Sequence, residues 1–352
     1  MKSTNLRYYI GLDHIRAVAA YMVFCWHFIH TTRGVPISFD HVELTPPLSW
    51  LNQGHLGVSV FMVLSGYLFA KILEDAKISY GYFYLNRFLR LAPLMIVVVF
   101  INAIMRYVNG DEAIWYFFAS LANGLIYPSL PNSGWSITAE FHFYLLLPFL
   151  LFVSRNSNLN LVLLVVASIL FRAFLYYRDG SVQYLAYWTI VGRFDLFVIG
   201  ILGYRYRKHF QISSMAAIFS ILGLAILYAF LNSFGGYHGT QEGMIWIVFS
   251  TLEGIFIAPL ISYYDRISIE FDGALSRVVA SIGKYSYSMY LLHSFVVFQV
   301  ATYIHLNLLD LSNIYLAILV SSLMFLLFVP ISYLSYTLIE KPFLRFRKPY
   351  LN

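Results

Sequence analysis

The sequence predicts an all-α, polytopic integral membrane bundle of about ten transmembrane helices, with both termini on the cytoplasmic side. Three observations lead there. Of 352 residues, 60% are hydrophobic and only 11% are charged, whereas soluble domains carry about a quarter charged residues. Mean hydropathy is +0.70, and apolar stretches of about twenty residues, the length that crosses a hydrocarbon core, recur along the chain. Lys and Arg gather in alternate loops, as they do in loops retained in the cytoplasm. That retention accounts for the net charge of +6 and removes the case for a nucleic-acid partner. The 29 Tyr, 31 Phe and 6 Trp suit interfacial belts and a packed bundle.

Ten candidate spans follow in order: 12–31, 55–73, 91–108, 137–153, 158–177, 186–204, 214–234, 243–264, 285–305 and 313–338. Residues 112–127 (EAIWYFFASLANGLIY) are short, aromatic and bounded by Asp111, Glu112 and Pro128, so they are expected as an interfacial or re-entrant helix. With ten spans and an inner N-terminus, only Arg33, Arg106 and Arg178 of the 23 Lys and Arg fall in outer segments. Arg16, Arg172 and Arg193 lie within spans, and the remaining 17 are inner. An eleventh span at 112–127 would invert every later loop and spoil this bias. Lys2 and Arg7 resemble the basic region of a signal peptide, but no small-residue cleavage site follows, so the first helix is expected to be retained. No long polar stretch or linker interrupts the pattern, which predicts a single membrane domain over 1–352. Cys25 is the lone cysteine, which excludes a disulfide framework and a cysteine metal site.

The first span, GLDHIRAVAAYMVFCWHFIH, carries Asp13, His14, Arg16, His27 and His30, groups that hydrocarbon penalises. Arg16 and His27 are eleven residues apart, close to three helical turns, so they share a face about 16 Å apart along the axis. Arg16 falls near the inner side, where snorkelling to head groups is the plainer role. His27 lies inside the span toward the outer side, where an ionisable group faces a cavity or a partner; a structural hydrogen bond is its plainer role. His30, nearer the interface, is expected to be ordinary.

Gly54, Gly57 and Gly66 in the second segment allow close approach of a helix or a ligand, with Ser65 beside Gly66. Arg87 and Arg90 stand three apart on one helical face, on the cytoplasmic edge before Pro93. They suit a phosphate-bearing ligand or plain anchoring. In NSGWSITAEFHFYLLLPFLL, Ser136, Glu140 and Tyr144 form one stripe and His142 turns away. Glu140 is expected about one turn inside the outer surface, at the depth of His27 and not of Arg87. Arg193, Asp195 and Glu253 are expected as structural ion partners. Ser286, Tyr290 and His293 share a face in GKYSYSMYLLHSFVV, with His293 in the inner half of its span.

Together these segments resemble the acyltransferase-3 family of membrane-bound O-acyltransferases. The resemblance rests on Arg16 and His27 in RAVAAYMVFCWH, on GVSVFMVLSGYLFA, and on Arg87 and Arg90 in RFLRLAP. It continues through Trp135, Ser136, Glu140 and Tyr144 in GWSITAEFHFYLLLP, then YSYSMYLLH and IEKPF. Each motif is short; their order and spacing across nearly the whole chain are specific. The resemblance implies a cytoplasmic acyl-CoA donor, usually acetyl-CoA, with no permanently bound cofactor and no metal. It implies an acceptor hydroxyl on a bacterial cell-surface glycan such as lipopolysaccharide O-antigen, capsule or exopolysaccharide, and a multi-pass protein of the bacterial cytoplasmic membrane in contact with lipid. On this reading catalysis falls to His27, Glu140 and Arg16, donor binding to Arg87, Arg90, Ser65, Tyr290 and His293, and acceptor binding to Trp135, Ser136 and Tyr144. Some relatives continue into an extracytoplasmic esterase-like domain. This sequence stops at Asn352, so transfer is expected to be completed by the membrane domain or by a separate partner.

His27 can act as general base toward the acceptor hydroxyl while Glu140 orients the imidazole or holds the sugar, or His27 can itself carry the acyl group. Direct transfer and a covalent relay both remain open. A multi-span transporter or polysaccharide exporter is the alternative function, although the paired halves and broken helices of transporters are not evident in the sequence.

Overall fold

The computed structural model describes residues 9–73, 76–110, 113–212, 214–271 and 273–351. Lys2, Arg7, Asp111, Glu112 and Asn352, used above, lie outside the described residues. Within hydrocarbon a backbone must satisfy its own hydrogen bonds, and a helix does so within one segment. Accordingly the chain folds into helices: α1 (Ile10–His30), α2 (Leu56–Leu73), α3 (Tyr80–Val108), α4 (Ala113–Gly124), α5 (Trp135–Asn156), α6 (Asn158–Asp179), α7 (Ile190–Arg205), α8 (Ser214–Ser233), α9 (Phe249–Ile267), α10 (Ala274–Lys284), α11 (Ser286–Leu292), α12 (Ser294–Asn307) and α13 (Ile314–Ser335). Among the described residues the β pairing is a single isolated bridge, Ile78 with Leu351.

Each expected span coincides with one of these helices or, at α11 and α12, with a pair bent by 62°. By length and hydropathy six helices can cross a membrane, or seven if the bent pair is one span. α4 has 12 residues and extends about 18 Å, short of a crossing.

α2 lies at the centre, packed by α1, α7 and α9. Glycines explain how closely these helices approach. A Cβ on Gly66 would run into the Phe197 carbonyl of α7, and one on Gly200 into the Val63 carbonyl of α2. Gly57 meets the Ala19 carbonyl of α1 and Gly54 the Met22 carbonyl. The glycines of the second segment thus admit helices, not a ligand. Outer helices keep lipid-facing rows, such as Leu163, Val166, Leu170 and Phe174 on α6, all exposed.

Charges inside the bundle are paired. Arg172 meets Asp195 at 2.8 Å with both side chains fully buried, and Arg172 Nη1 also donates to Ser250 Oγ at 2.8 Å. Glu253 accepts from Ser59 at 2.9 Å and Tyr228 at 2.5 Å, while Arg193 donates to Ser59 and to the Tyr187 carbonyl. Asp195 thus holds helices together as an ion partner, whereas Arg193 and Glu253 do so through the Ser59 hydroxyl they share, since a buried charge is tolerated only with partners.

Cross-loop hydrogen bonds stitch two ends of the bundle. At one end the C-terminal segment is sewn to the start of α3: Ser79 N–H donates to Tyr350 O at 2.9 Å, and Asn86 Nδ2 to Lys348 O at 2.7 Å. Lys71 there pairs with Asp265 at 2.6 Å. At the other end Asn52 and Gln53 donate to Asn232 Oδ1, and Gln183 to the Tyr237 carbonyl.

Candidate active site: two cavities and the wall between them

The first cavity lies toward the end where α3 starts and is lined by Arg16, Ser65, Arg87, Arg90, Glu140 and Tyr144 among others. Arg87 sits against the rings of Phe69, Phe83 and Tyr144, its guanidinium carbon 5.3–5.8 Å from their centroids. Arg16 is anchored by Asp13 at 2.5 Å. Arg347, outside the lining, lies within the field of Arg90 and Arg87, on a C-terminal segment that Asn86 holds beside α3 by donating to the Lys348 carbonyl and accepting from its N–H. Burial, followed by the fields of Arg90 and Arg87, pushes the Arg347 guanidinium below its ordinary range. Its Nε and Nη2, and Nε of Arg87, are buried without hydrogen-bond partners among the described residues. Crowded guanidinium groups with unmet donors fit an anionic ligand such as a phosphate.

A second cavity is lined by His27, His55, Ser133, Trp135, Tyr187 and Tyr237 among others. His27 Nδ1 is 2.8 Å from the Val23 carbonyl and 3.2 Å from His293 Nε2. A carbonyl only accepts, so His27 carries its proton on Nδ1. His293 likewise points Nδ1 at the Tyr290 carbonyl, 2.6 Å away, which leaves its Nε2 as acceptor for His27. The free lone pair of His27 is therefore on Nε2, and Ser133 Oγ lies 3.2 Å from it. His55 donates from Nε2 to Gln53 Oε1 at 3.2 Å. Its Nδ1 is buried without a partner among the described residues, an acceptor inside a pocket of aromatic faces. Trp135 and Tyr187 stack 5.2 Å apart at 42°.

Tyr290 and Val58 line both cavities and so form a wall between them. Tyr290 is fixed by accepting from Ser136 Oγ and donating to the Ser133 carbonyl, both at 2.8 Å.

The structure brings His27, Ser133 and Trp135 to the second cavity, with His293 behind His27, and Arg16, Arg87, Arg90, Ser65, Glu140, Tyr144 and Ser136 to the first. Four expectations change. Ser136, expected beside the acceptor, lines the arginine cavity and donates to the Tyr290 hydroxyl. Glu140 does not share the depth of His27. Ser133 does, and α5 begins at Trp135, so five residues of rise carry Glu140 about 7.5 Å further along, where it accepts from Tyr144 beside the arginines. Tyr144 accordingly lies with the arginines and away from the aromatic pocket. His293 is not among the arginines but beside His27, at the break between α11 and α12. Arg16 keeps the expected separation from His27 and faces the arginine cavity. His142 turns away as expected, its Nε2 2.8 Å from the Leu125 carbonyl. His30 is ordinary, its ring nitrogens 2.9 and 3.1 Å from the carbonyls of Ile37 and Asn52.

Sequence reasoning missed Ser133, His55 and Arg347. Ser133 had one available signal, its place two residues before Trp135; the other two are assembled by tertiary contacts.

The family model for the acyltransferase domain, type 3, matches residues 9–337. Among curated relatives, the chain is 26% identical over 328 residues to the peptidoglycan O-acetyltransferase OatA of Listeria monocytogenes, covering 82% of this chain and 49% of that protein. It is 29% identical over 228 residues to the putative peptidoglycan O-acetyltransferase YrhL of Bacillus subtilis, covering 56% and 33%. A putative O-acetyltransferase of Staphylococcus aureus is 23% identical over 384 residues, covering 97% and 58%. The chain thus spans between a third and somewhat over half the length of these relatives. No solved structure matches it.

Proposed function

Because the chain belongs to the acyltransferase-3 family, we propose that it is a membrane O-acetyltransferase that takes an acetyl group from acetyl-CoA on the cytoplasmic side and delivers it to a hydroxyl of a cell-surface glycan. One observation carries the reading: a cavity lined by Arg16, Arg87 and Arg90, with Arg87 Nε buried and unpartnered among the described residues, and a pocket built around His27 lie back to back, divided by Tyr290 and Val58.

The arginine cavity receives the donor. Arg87, Arg90 and Arg347 hold the phosphates of coenzyme A, and Ser65, Glu140 and Tyr144 line the path of the thioester arm. The aromatic pocket receives the acceptor, with sugar faces against Trp135 and Tyr187 and a hydroxyl donating to His55 Nδ1. His27 Nε2 removes the proton of the reacting hydroxyl. Val23 O and His293 Nε2 hold the imidazole in the tautomer that leaves Nε2 unprotonated, as a carboxylate does in serine hydrolases. The hydroxyl oxygen bonds to the acyl carbon, the carbon–sulfur bond breaks, and the thiolate recovers the proton.

The membrane topology is part of this proposal. Ten crossings with inner termini, α4 not crossing and α11–α12 counted once, keep all but three loop cations inside. The cross-loop bonds support it, since each joins segments the charge bias assigns to one side. The relatives named as peptidoglycan O-acetyltransferases favour an acceptor rich in N-acetylhexosamine over the O-antigen, capsule or exopolysaccharide alternatives.

Purified full-length protein in lipid vesicles, given radiolabelled acetyl-CoA and chitopentaose or peptidoglycan strands, is expected to label the glycan. An unlabelled glycan with donor and acceptor supplied on their proper sides overturns the proposal. Transport of an unmodified glycan would favour the exporter instead.

A further inference from the structure

Ser133 stands in a backbone conformation that its side chain does not favour. Its φ is +59°, beside Asn132 at +55°, in the left-handed region that few non-glycine residues adopt. Such strain persists only where the surroundings impose it, and it concentrates at functional positions. Here the Tyr290 hydroxyl binds the Ser133 carbonyl and Asn132 Nδ2 donates to the Leu291 carbonyl at 3.2 Å, so α11 fixes the turn. The turn ends at the start of α5, whose first N–H groups have no intrahelical acceptor and carry partial positive charge. Its result is a hydroxyl 3.2 Å from the free lone pair of His27. A hydroxyl, a base whose other nitrogen is held by a fixed acceptor, and a helix start next to both form the arrangement of an activated nucleophile.

The position of Ser133 is as informative as its geometry. Its carbonyl is bonded to the wall residue Tyr290, while its side chain lines the aromatic pocket. The donor cavity and the acceptor pocket meet at that wall. A group handed across needs a carrier at that wall, and Ser133 lines the pocket while its carbonyl is bonded to the one side chain, Tyr290, that lines both cavities and holds the turn.

We infer that Ser133 carries the acyl group between two half-reactions, as an ester on Oγ. This rests on the acetyltransferase reading above and replaces its single direct transfer by two. In the first half, His27 Nε2 takes the Ser133 proton, Oγ bonds to the thioester carbon, the carbon–sulfur bond breaks, and the thiolate leaves with the proton from His27. In the second, the acceptor hydroxyl gives its proton to His27, its oxygen bonds to the same carbon, and Ser133 Oγ leaves and recovers the proton. Water in place of the glycan hydrolyses the same ester.

The experiment uses the purified full chain in vesicles with radiolabelled acetyl-CoA and no glycan. After denaturation the label is expected to remain on the protein, and mass spectrometry of the peptide containing residues 132–135 to find one acetyl group on Ser133. Chitopentaose should then discharge it, and initial rates against both substrates should follow ping-pong kinetics. Ser133→Gly suits the positive φ, so it tests the hydroxyl without burdening the fold; label and transfer should fall at least about a hundredfold. Ser133→Cys should trap a thioester released by hydroxylamine. Wild-type transfer with no label on Ser133, or full transfer by Ser133→Gly, overturns the relay and leaves the acetyltransferase reading intact. Absence of any transfer by the wild type overturns both.

Discussion

His30 and His27 stand three positions apart in α1, and their surroundings separate their roles. His30 is 1% exposed and faces two carbonyls, so it ties the loop after α1 to the segment before α2. His27 keeps one nitrogen turned to Ser133 and the aromatic pocket. We expect His27→Ala to lower transfer by about a hundredfold or more at unchanged membrane insertion. His30→Ala should lower thermal stability while each folded molecule retains most of its activity. Glycan labelling at matched protein levels, with a melting curve for each variant, checks both; equal losses of activity would remove the assignment. Arg347 gives a second contrast. Its charge is disfavoured in the fold by burial and by Arg90 and Arg87, so Arg347→Gln should raise the melting temperature of the ligand-free protein. The same change removes donors to phosphate and should weaken coenzyme A binding about tenfold, since a charge-assisted hydrogen bond contributes about 1.5–3 kcal/mol. Calorimetric titration with coenzyme A checks the second half, and unchanged affinity would exclude Arg347 from the donor site. The sequence made His27, Arg87 and Arg90 legible because an ionisable group in or beside an apolar run is visible without any fold. Ser133, His55 and Arg347 sit among ordinary polar neighbours in loops or segment ends, and only their unmet or shared hydrogen bonds distinguish them.

At the scale of helices, hydropathy located the long elements, and the alternation of charge separated α4 from the spans. Depth along a helix was harder to read. Glu140 was expected beside His27 because the apolar run was taken to begin at the membrane surface. The turn at Asn132 and Ser133 sets the register instead, and a turn held by Tyr290 and Leu291 from another helix leaves no local pattern. Close contact between α2 and α7 depends on Gly66 and Gly200 facing carbonyls. Gly66→Ala should therefore destabilise the bundle by about 1–3 kcal/mol, the usual cost of overpacking. A lowered midpoint in thermal unfolding in detergent is the expected result, and a melting temperature equal to that of the wild type would contradict the packing described here.

Considered whole, the molecule carries polar cavities toward both ends of an apolar bundle and keeps a wall between them. Tyr290 and Val58 are narrow partitions between the arginine-lined cavity and the aromatic pocket. The consequence is electrical. A continuous water-filled passage through a protein of this kind would short-circuit the ion gradients that the surrounding membrane maintains. Moving an acyl group across on a side chain exports chemistry without opening a conductance. Vesicles containing the wild-type protein should hold an imposed pH gradient as well as empty vesicles do, read by an entrapped pH-sensitive dye. Replacing both Tyr290 and Val58 by Ala should make the gradient collapse faster, and a gradient equally long-lived in that variant would mean that insulation resides elsewhere. The hydroxyl of Tyr290 is bonded to the Ser133 carbonyl and to Ser136 Oγ, so a leak in the Tyr290 and Val58 variant would place the membrane's stored voltage and the turn beside His27 in the keeping of one side chain.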